Sequence, residues 1–368
     1  MQRIRQLHLL GQSLWYDYID RALLHSGRLA DLVDAGVVHG VTSNPAIFRQ
    51  AMSQSAAYAD DRALLAARGL DAEAIYEHLA VADIQAACDV LRPLYERTHG
   101  QDGFVSLEVS PHLAHDPQGT LAAARRLWEW VDRPNLMIKI PGTSAGLSAI
   151  TEALTAGISV NVTLLFSVTR YRQVMEAYLT ALERRAAQGQ PLDTVASVAS
   201  FFVSRVDTKV DRALEAVAAQ GGPRAARARA LLGTIAIANA RQAYQAFKEV
   251  FSGPRFAALA ARGARVQRPL WASTSTKNPA YPDTLYVDAL IGPQTVNTVP
   301  PKTWEAFADH GTPRLTIEAD VEGDAARLAE LAALGIDLEA ITAQLEAEGV
   351  QAFVAAYDAL LDALRASR

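Results

Sequence analysis

Residues 134 to 143 read PNLMIKIPGT, and the run holds a single charge, Lys139, set between Ile138 and Ile140 and closed by a Pro-Gly breaker. An ammonium group taken out of water without a partner costs several kcal/mol or is driven toward neutrality. Its plain role is a strand-end lysine with its stem packed and its head in solvent; its chemical role is a nucleophilic amine. Two carboxylates occupy similar apolar surroundings, Asp17 in SLWYDYI and Glu108 in VSLEVSP. With Lys139 they suit either a structural ion-pair network or carbonyl chemistry, in which the amine attacks and the carboxylates carry protons.

These residues lie in short β-like runs that recur along the chain: 13–19, 37–45, 104–111, 136–142, 158–167, 194–204, 266–274 and 295–300. Amphipathic helical stretches separate most of them, such as 116–131 and 169–188, with apolar residues at three-to-four spacing. Alternating strand and helix means a parallel sheet. Eight such units predict a closed (β/α)8 barrel of the TIM type, with a doubly wound open sheet as the other arrangement. Residues 207–250 read as a helical insert after the sixth strand, and 321–368 as helices broken near Gly335 and Gly349. The last of these carries Val350, Phe353, Val354, Tyr357, Leu360, Leu361 and Leu364 on one face, which must pack on the barrel. No linker or repeat divides the chain, so 1–368 is expected to form one domain.

Alternate strand residues of a barrel face its interior, and those near the C-terminal strand ends line the active site. Sorted by period two, Val105, Leu107 and Val109 leave Ser106 and Glu108 on the other face; Leu136, Ile138 and Ile140 leave Met137 and Lys139; Ile158, Val160, Val162 and Leu164 leave Ser159, Asn161 and Thr163. The apolar sets suit the covering helices, so the polar sets point inward. Asp17 on the first strand, Asn44 at the exit of the second, Ser200 on the sixth and Ser273 on the seventh join them. Asn44 before Pro45 also has the form of a helix N-cap. Converging hydroxyls, amides and carboxylates are what a polyhydroxy carbonyl substrate requires.

The bulk figures narrow the class. Of 368 residues half are hydrophobic and a fifth charged, with a net charge of -5 that leaves no basic stripe for nucleic acid. The single Cys88 excludes an intramolecular disulfide and a cysteine metal cluster, in keeping with a reducing compartment. No signal-like or membrane-spanning apolar run is present, so a cytoplasmic setting without membrane partners is expected.

The segments SLWYDYI, GVTSNPAIF, VSLEVSPHLAHD, PNLMIKIPGT, VNVTLLFS, VASFFVSRVDTKVD, RPLWASTSTKNPAYPDTLYVDALIGP and TVNTVP resemble those of the transaldolases, in the longer bacterial branch, and occur in the same order. The resemblance implies a class I aldolase-like (β/α)8 barrel that moves a dihydroxyacetone unit between sugar phosphates in the pentose phosphate pathway. It makes Lys139 the Schiff-base lysine, Asp17 the carboxylate serving the C4 hydroxyl, and Glu108 an acid/base acting through a water that Thr163 helps hold. Asn44, Asn161 and Ser200 become dihydroxyacetone-binding residues, and Arg205 a phosphate-binding arginine. No metal or organic cofactor is implied, since the lysine supplies the electron sink; the protein would act as a monomer or homodimer.

Some positions depart from that pattern. Tyr18 stands where a small hydrophilic residue is common, and by alternation points away from the interior. Ser275 replaces a usual Gly, and Lys277 stands where shorter relatives place a second phosphate arginine. Lys277 ranks below Arg205 as a phosphate group, and Ser273 and Ser275 are alternatives for one contact. Fructose-6-phosphate aldolase-type enzymes, which release dihydroxyacetone, tend to be shorter and use a tyrosine where Phe202 stands here. A metal-dependent aldolase using His112 and His115, and a non-catalytic sugar-phosphate-binding homologue, are the remaining alternatives.

Overall fold

The computed structural model describes residues 1–366, and in it eight parallel strands close into a barrel in sequence order. They are β1 (Gln12–Tyr16), β2 (Gly40–Val41), β3 (Phe104–Glu108), β4 (Leu136–Pro141), β5 (Val160–Leu165), β6 (Ser197–Phe202), β7 (Arg268–Ala272) and β8 (Thr295–Val299). β8 returns to pair with β1 from Gln12 opposite Thr295 to Tyr16 opposite Val299, so no edge is left open. Both faces of the strands are covered, which is why β-branched and aromatic residues on them, such as Val105, Ile138, Val160 and Trp271, are fully buried.

The register places the chemistry. Glu108 pairs with Lys139, and Lys139 with Asn161, so these three stand at one level on adjacent strands with their side chains on the same face. Thr163 pairs with Pro141, one step nearer the C-terminal rim.

The observed elements differ from the expected ones at several points. β1 ends at Tyr16, although Asp17 still donates its N–H to the Val299 carbonyl at 2.8 Å and so keeps the strand direction. β2 is only two residues long, where 37–45 was expected. Its Gly40 has no room for a side chain, since a Cβ there would lie 2.6 Å from the Trp15 indole. In β5 the pairing with β6 shifts between Val162 and Leu165, and Leu164 takes a left-handed φ of 62°. Alternation therefore fails at Leu164, which meets the last helix of the chain instead of the surrounding ring.

The helical insert is longer than residues 207–250. Four helices follow β6: Ser204–Ala219, Gly222–Leu231, Ile235–Phe251 and Pro254–Ala260. At the other end the break at Gly335 is present, with φ of 80°, but Gly349 does not break anything. One helix runs through it from Leu338 to Ala366; residues 367 and 368, the end of the expected helical region, lie outside the described residues. Gly349 is needed for closeness, since a Cβ there would be 3.0 Å from Leu164 Cδ2 and 3.6 Å from the Phe166 ring.

Helix Leu338–Ala366 packs against Pro45–Gln54, Ala72–Arg97, Ser204–Ala219 and β5, and thus crosses the C-terminal mouth of the barrel. Val350, Phe353, Tyr357, Leu360, Leu361 and Leu364 are buried along it, as their spacing predicted, while Val354, expected on the same face, is half-buried. Each such side chain contributes about 1.5–3 kcal/mol by leaving water.

Candidate active site

Lys139 extends from β4 into the C-terminal end of the barrel with only 6% of its surface exposed. Its Nζ donates to the Ser43 carbonyl at 3.2 Å and to Glu108 Oε2 at 3.4 Å, and lies 5.5 Å from the centre of the Phe353 ring. The other Glu108 oxygen, Oε1, is buried without a hydrogen-bond partner, and so is the Thr163 hydroxyl. Buried polar atoms left unpaired by the protein are groups waiting for substrate or water.

Burial raises both acids. Burial pushes the Glu108 carboxyl up to about 7, against the Lys139 charge and hydrogen bond, which pull it down. Asp17 is also raised, by burial first, with Lys139, the Thr42 hydrogen bond and Lys277 opposing. The Thr42 hydroxyl lies 2.7 Å from Asp17 Oδ1 and 2.6 Å from the Thr298 hydroxyl, so a short chain of hydroxyls holds the carboxylate. A carboxyl near neutrality can give and take a proton within one reaction cycle.

A cavity of about 270 Å³ opens above Lys139. Asp17, Asn44, Lys139, Thr163, Ser200, Phe202, Arg205, Ser273, Ser275 and Lys277 all line it, so most of the predicted residues converge. Glu108 and Asn161 do not reach its wall. Asn161 lies in the layer beneath, where Ser200 donates to its Oδ1 at 2.7 Å and its amide donates to Ser106 Oγ at 3.0 Å. Through Ser200 it orients a hydroxyl that does face the cavity.

Asn44 caps the helix Pro45–Gln54: its side chain accepts the Ile47 N–H at 3.1 Å while its residue lines the cavity. At the outer end stand Arg205 and Lys277. Among the described residues neither makes an ion pair, and burial lowers both, Lys277 further through the nearby Arg205 charge. Two cations held together without a carboxylate form a site for an anion. Arg205 also lies 5.3 Å from the Phe202 ring, and Lys277 donates to Ser275 at 2.8 Å. Ser273 adopts a left-handed φ of 54° and its hydroxyl bonds that of Ser204 at 3.0 Å, which leaves Ser275 as the serine tied to a cation.

Other candidates lie apart. The Tyr18 hydroxyl donates to Asp20 at 2.5 Å, away from the cavity. His112 and His115 are exposed, and His112 bonds Asp358 at 2.8 Å. Among the described residues no group of three or more His, Cys, Asp or Glu is placed to hold a metal ion, and no helix is long and apolar enough to cross a membrane.

Four contributors escaped the sequence reading. Thr42 and Thr298 carry Asp17, Ser43 accepts from Lys139 through its carbonyl, and Phe353 covers the amine. The threonines had a signal, since GVTSNP and TVNTVP place them at strand exits. A backbone carbonyl and a residue from a distant helix have none.

The family model described as transaldolase/fructose-6-phosphate aldolase matches residues 14–364. Curated relatives match nearly end to end. The chain is 50% identical to the transaldolase of Thiobacillus denitrificans over 98% of its own length and 99% of that protein. It is 51% identical to that of Parafrankia sp., covering 98% and 97%, and 51% identical to that of Thermobifida fusca, covering 98% and 96%.

Proposed function

This chain belongs to the transaldolase/fructose-6-phosphate aldolase family and is an enzyme of the transaldolase kind; on that premise we propose that Lys139 carries a dihydroxyacetone unit as a Schiff base from a ketose phosphate to an aldose phosphate. The donors are sedoheptulose 7-phosphate or fructose 6-phosphate, the acceptors glyceraldehyde 3-phosphate or erythrose 4-phosphate, in the pentose phosphate pathway of the cytoplasm. The observation that carries this reading is a buried amine beside the buried Glu108 and the half-buried Asp17, under a cavity whose far end holds two cations that make no ion pair among the described residues.

Lys139, as its free amine, adds to the C2 carbonyl. The resulting hydroxyl leaves as water after taking a proton from Glu108, and an iminium remains. Asp17 removes the C4 hydroxyl proton; the C3–C4 electron pair moves into the iminium, and an aldose phosphate departs. The enamine left on Lys139 then attacks the acceptor aldehyde through C3, and Asp17 returns its proton to the new C4 oxygen. Hydrolysis of the iminium, with Glu108 taking the proton of the attacking water, frees the product. Ser200, Asn44 and Asn161 behind Ser200 serve the dihydroxyacetone hydroxyls, while Arg205 and Lys277 serve the phosphate.

Transfer rather than release is favoured by Phe202, which lines the cavity with an apolar ring and offers no hydroxyl to protonate the enamine. Borohydride trapping with fructose 6-phosphate, followed by peptide mass mapping, tests the reading. An adduct on Lys139 is expected, and its loss in Lys139→Arg together with transfer activity. An adduct elsewhere, or free dihydroxyacetone accumulating rapidly without acceptor, overturns it.

A further inference from the structure

Arg205 and Lys277 reach the outer end of the substrate cavity from different elements. Arg205 stands in the first turn of the helix Ser204–Ala219, whereas Lys277 sits in the loop between β7 and the helix Leu285–Ala289. Like charges repel, and burial disfavours both cations, so the pair itself does not hold the loop in this position. Lys277 also carries its charge on a flexible stem, whose ordering costs entropy. Some other contact has to keep the two cations together before a phosphate arrives.

That contact is a double one. Asp207 and Asp211 lie one turn apart on the helix that bears Arg205, and both are buried. The Tyr281 hydroxyl, four residues after Lys277, donates to Asp211 Oδ2 at 2.7 Å, and the Tyr286 hydroxyl donates to Asp207 Oδ2 at 2.9 Å. The remaining oxygens take backbone N–H groups around the start of the helix Ile235–Phe251. Asp207 Oδ1 accepts that of Ala236 at 2.7 Å, and Asp211 Oδ1 that of Gly233 at 3.0 Å. Tyr281 is closely seated, for a Cβ on Gly233 would lie 2.7 Å from its ring. Burial above all, with the adjoining carboxylates, raises both phenols, so each stays a donor.

The loop passes this restraint on to Lys277. The Thr276 hydroxyl donates to the Pro282 carbonyl at 2.8 Å, and the Tyr281 N–H donates to the Asn278 carbonyl at 3.1 Å. Lys277 lines both the substrate cavity and a smaller one of about 200 Å³, which Asp207, Asp211, Tyr281 and Tyr286 also line.

We propose that Tyr281 and Tyr286 are positioning residues for the phosphate site. Clamped to Asp211 and Asp207, they fix the Lys277 loop to the helix that bears Arg205, holding two repelling cations where one phosphate ester reaches both. The inference rests on the reading of Arg205 and Lys277 as phosphate ligands and adds what presets their spacing. A preorganised pair binds its anion without first ordering the loop. A loosened one must order it at each binding event, so affinity for the phosphorylated donor falls while the chemistry at Lys139 is untouched.

The test is steady-state kinetics at pH 8, where the Asp207 carboxyl, raised by burial to about 7, is ionised. Tyr281→Phe keeps the ring and removes the hydroxyl. KM for fructose 6-phosphate is expected to rise about three- to tenfold with kcat held within about twofold. KM for fructose, which has no phosphate, is expected to stay within about twofold. Made on a Lys277→Ala background, the same change should add less than about twofold, because the group it positions is already gone. Asp211→Ala removes the bond from the other side and carries the test if Tyr281→Phe does not melt cooperatively. An unchanged KM for fructose 6-phosphate in a folded variant overturns the clamp, as does an equal rise for fructose or the full effect repeated on the Lys277→Ala background. Should Lys277→Ala itself leave KM for fructose 6-phosphate unaltered, the phosphate reading of Lys277 fails and the clamp with it. A raised KM there beside an unaltered one in Tyr281→Phe defeats the clamp alone.

Discussion

At Glu108, the proposed proton transfer and stability pull in opposite directions. Its carboxyl is pushed from its ordinary 4.5 up to about 7 by burial. Below 4.5 both folded and unfolded chains hold the proton, and the group contributes nothing. Between 4.5 and 7 only the folded chain holds it, so stability falls as pH rises, and above 7 the full penalty is present. Glu108→Gln, a neutral mimic of the protonated acid, is therefore expected to stabilise the fold at pH 8 by about 2–3 kcal/mol. The gain should vanish near pH 4.5, read by denaturant melts at the two pH values. The same variant is expected to lose about 10²- to 10⁴-fold in kcat for want of a proton carrier. At the phosphate end, Arg205→Ala should raise KM for fructose 6-phosphate by about 10- to 100-fold, as loss of a charge-assisted hydrogen bond implies. Lys277→Ala should do less, and neither should change KM for an unphosphorylated ketose donor. A shift for the unphosphorylated donor as large as for the phosphorylated one would remove both from the phosphate site.

Single elements deliver these groups, and each has its own point of failure. Asn44 serves as N-cap and cavity wall at once, so Asn44→Ala should cost about 1 kcal/mol of stability and raise KM besides. Asn44→Ser separates the two roles, since a hydroxyl keeps the cap and shortens the reach into the cavity. In the last helix, Gly349 lets the backbone approach Leu164, itself turned by the irregularity in β5. Gly349→Val is expected to cost about 1–3 kcal/mol from overpacking, although valine is a better helix former than glycine. Because Phe353 lies one turn further on, kcat should fall with it. An unaltered melting temperature would show that the helix does not depend on this close approach.

Across the whole molecule, the last helix is the piece that finishes the site. It is tied to neighbouring helical segments by Thr169 to Glu339, Arg170 to Glu346, Lys209 to Glu348 and His112 to Asp358. Exposed pairs of this kind are worth little each; the buried apolar face holds the helix. Removing residues 338–368 uncovers that face, at about 1.5–3 kcal/mol per buried side chain, more than the margin of a typical fold. The truncated chain is expected to lose its cooperative melt, measured by calorimetry, even with fructose 6-phosphate present. The amino-acid sequence by itself determined a parallel sheet of strands alternating with helices, through eight apolar runs spaced by amphipathic helices, and the β8–β1 pairing decided for the closed barrel over the open sheet. The sequence also determined the inward direction of Lys139, Glu108, Thr163 and Ser200, because period two forces neighbours to opposite faces. It marked Gly335 as a break rightly and Gly349 wrongly, because a glycine in a helix reads the same whether it ends the helix or admits a neighbour. Only the tertiary structure decided that Asp17 is carried by Thr42 and Thr298, that Asn161 lies a layer below the cavity, and that Phe353 covers Lys139. Those contacts join residues far apart in the chain, and local pattern carries no record of which distant surface a helix will meet.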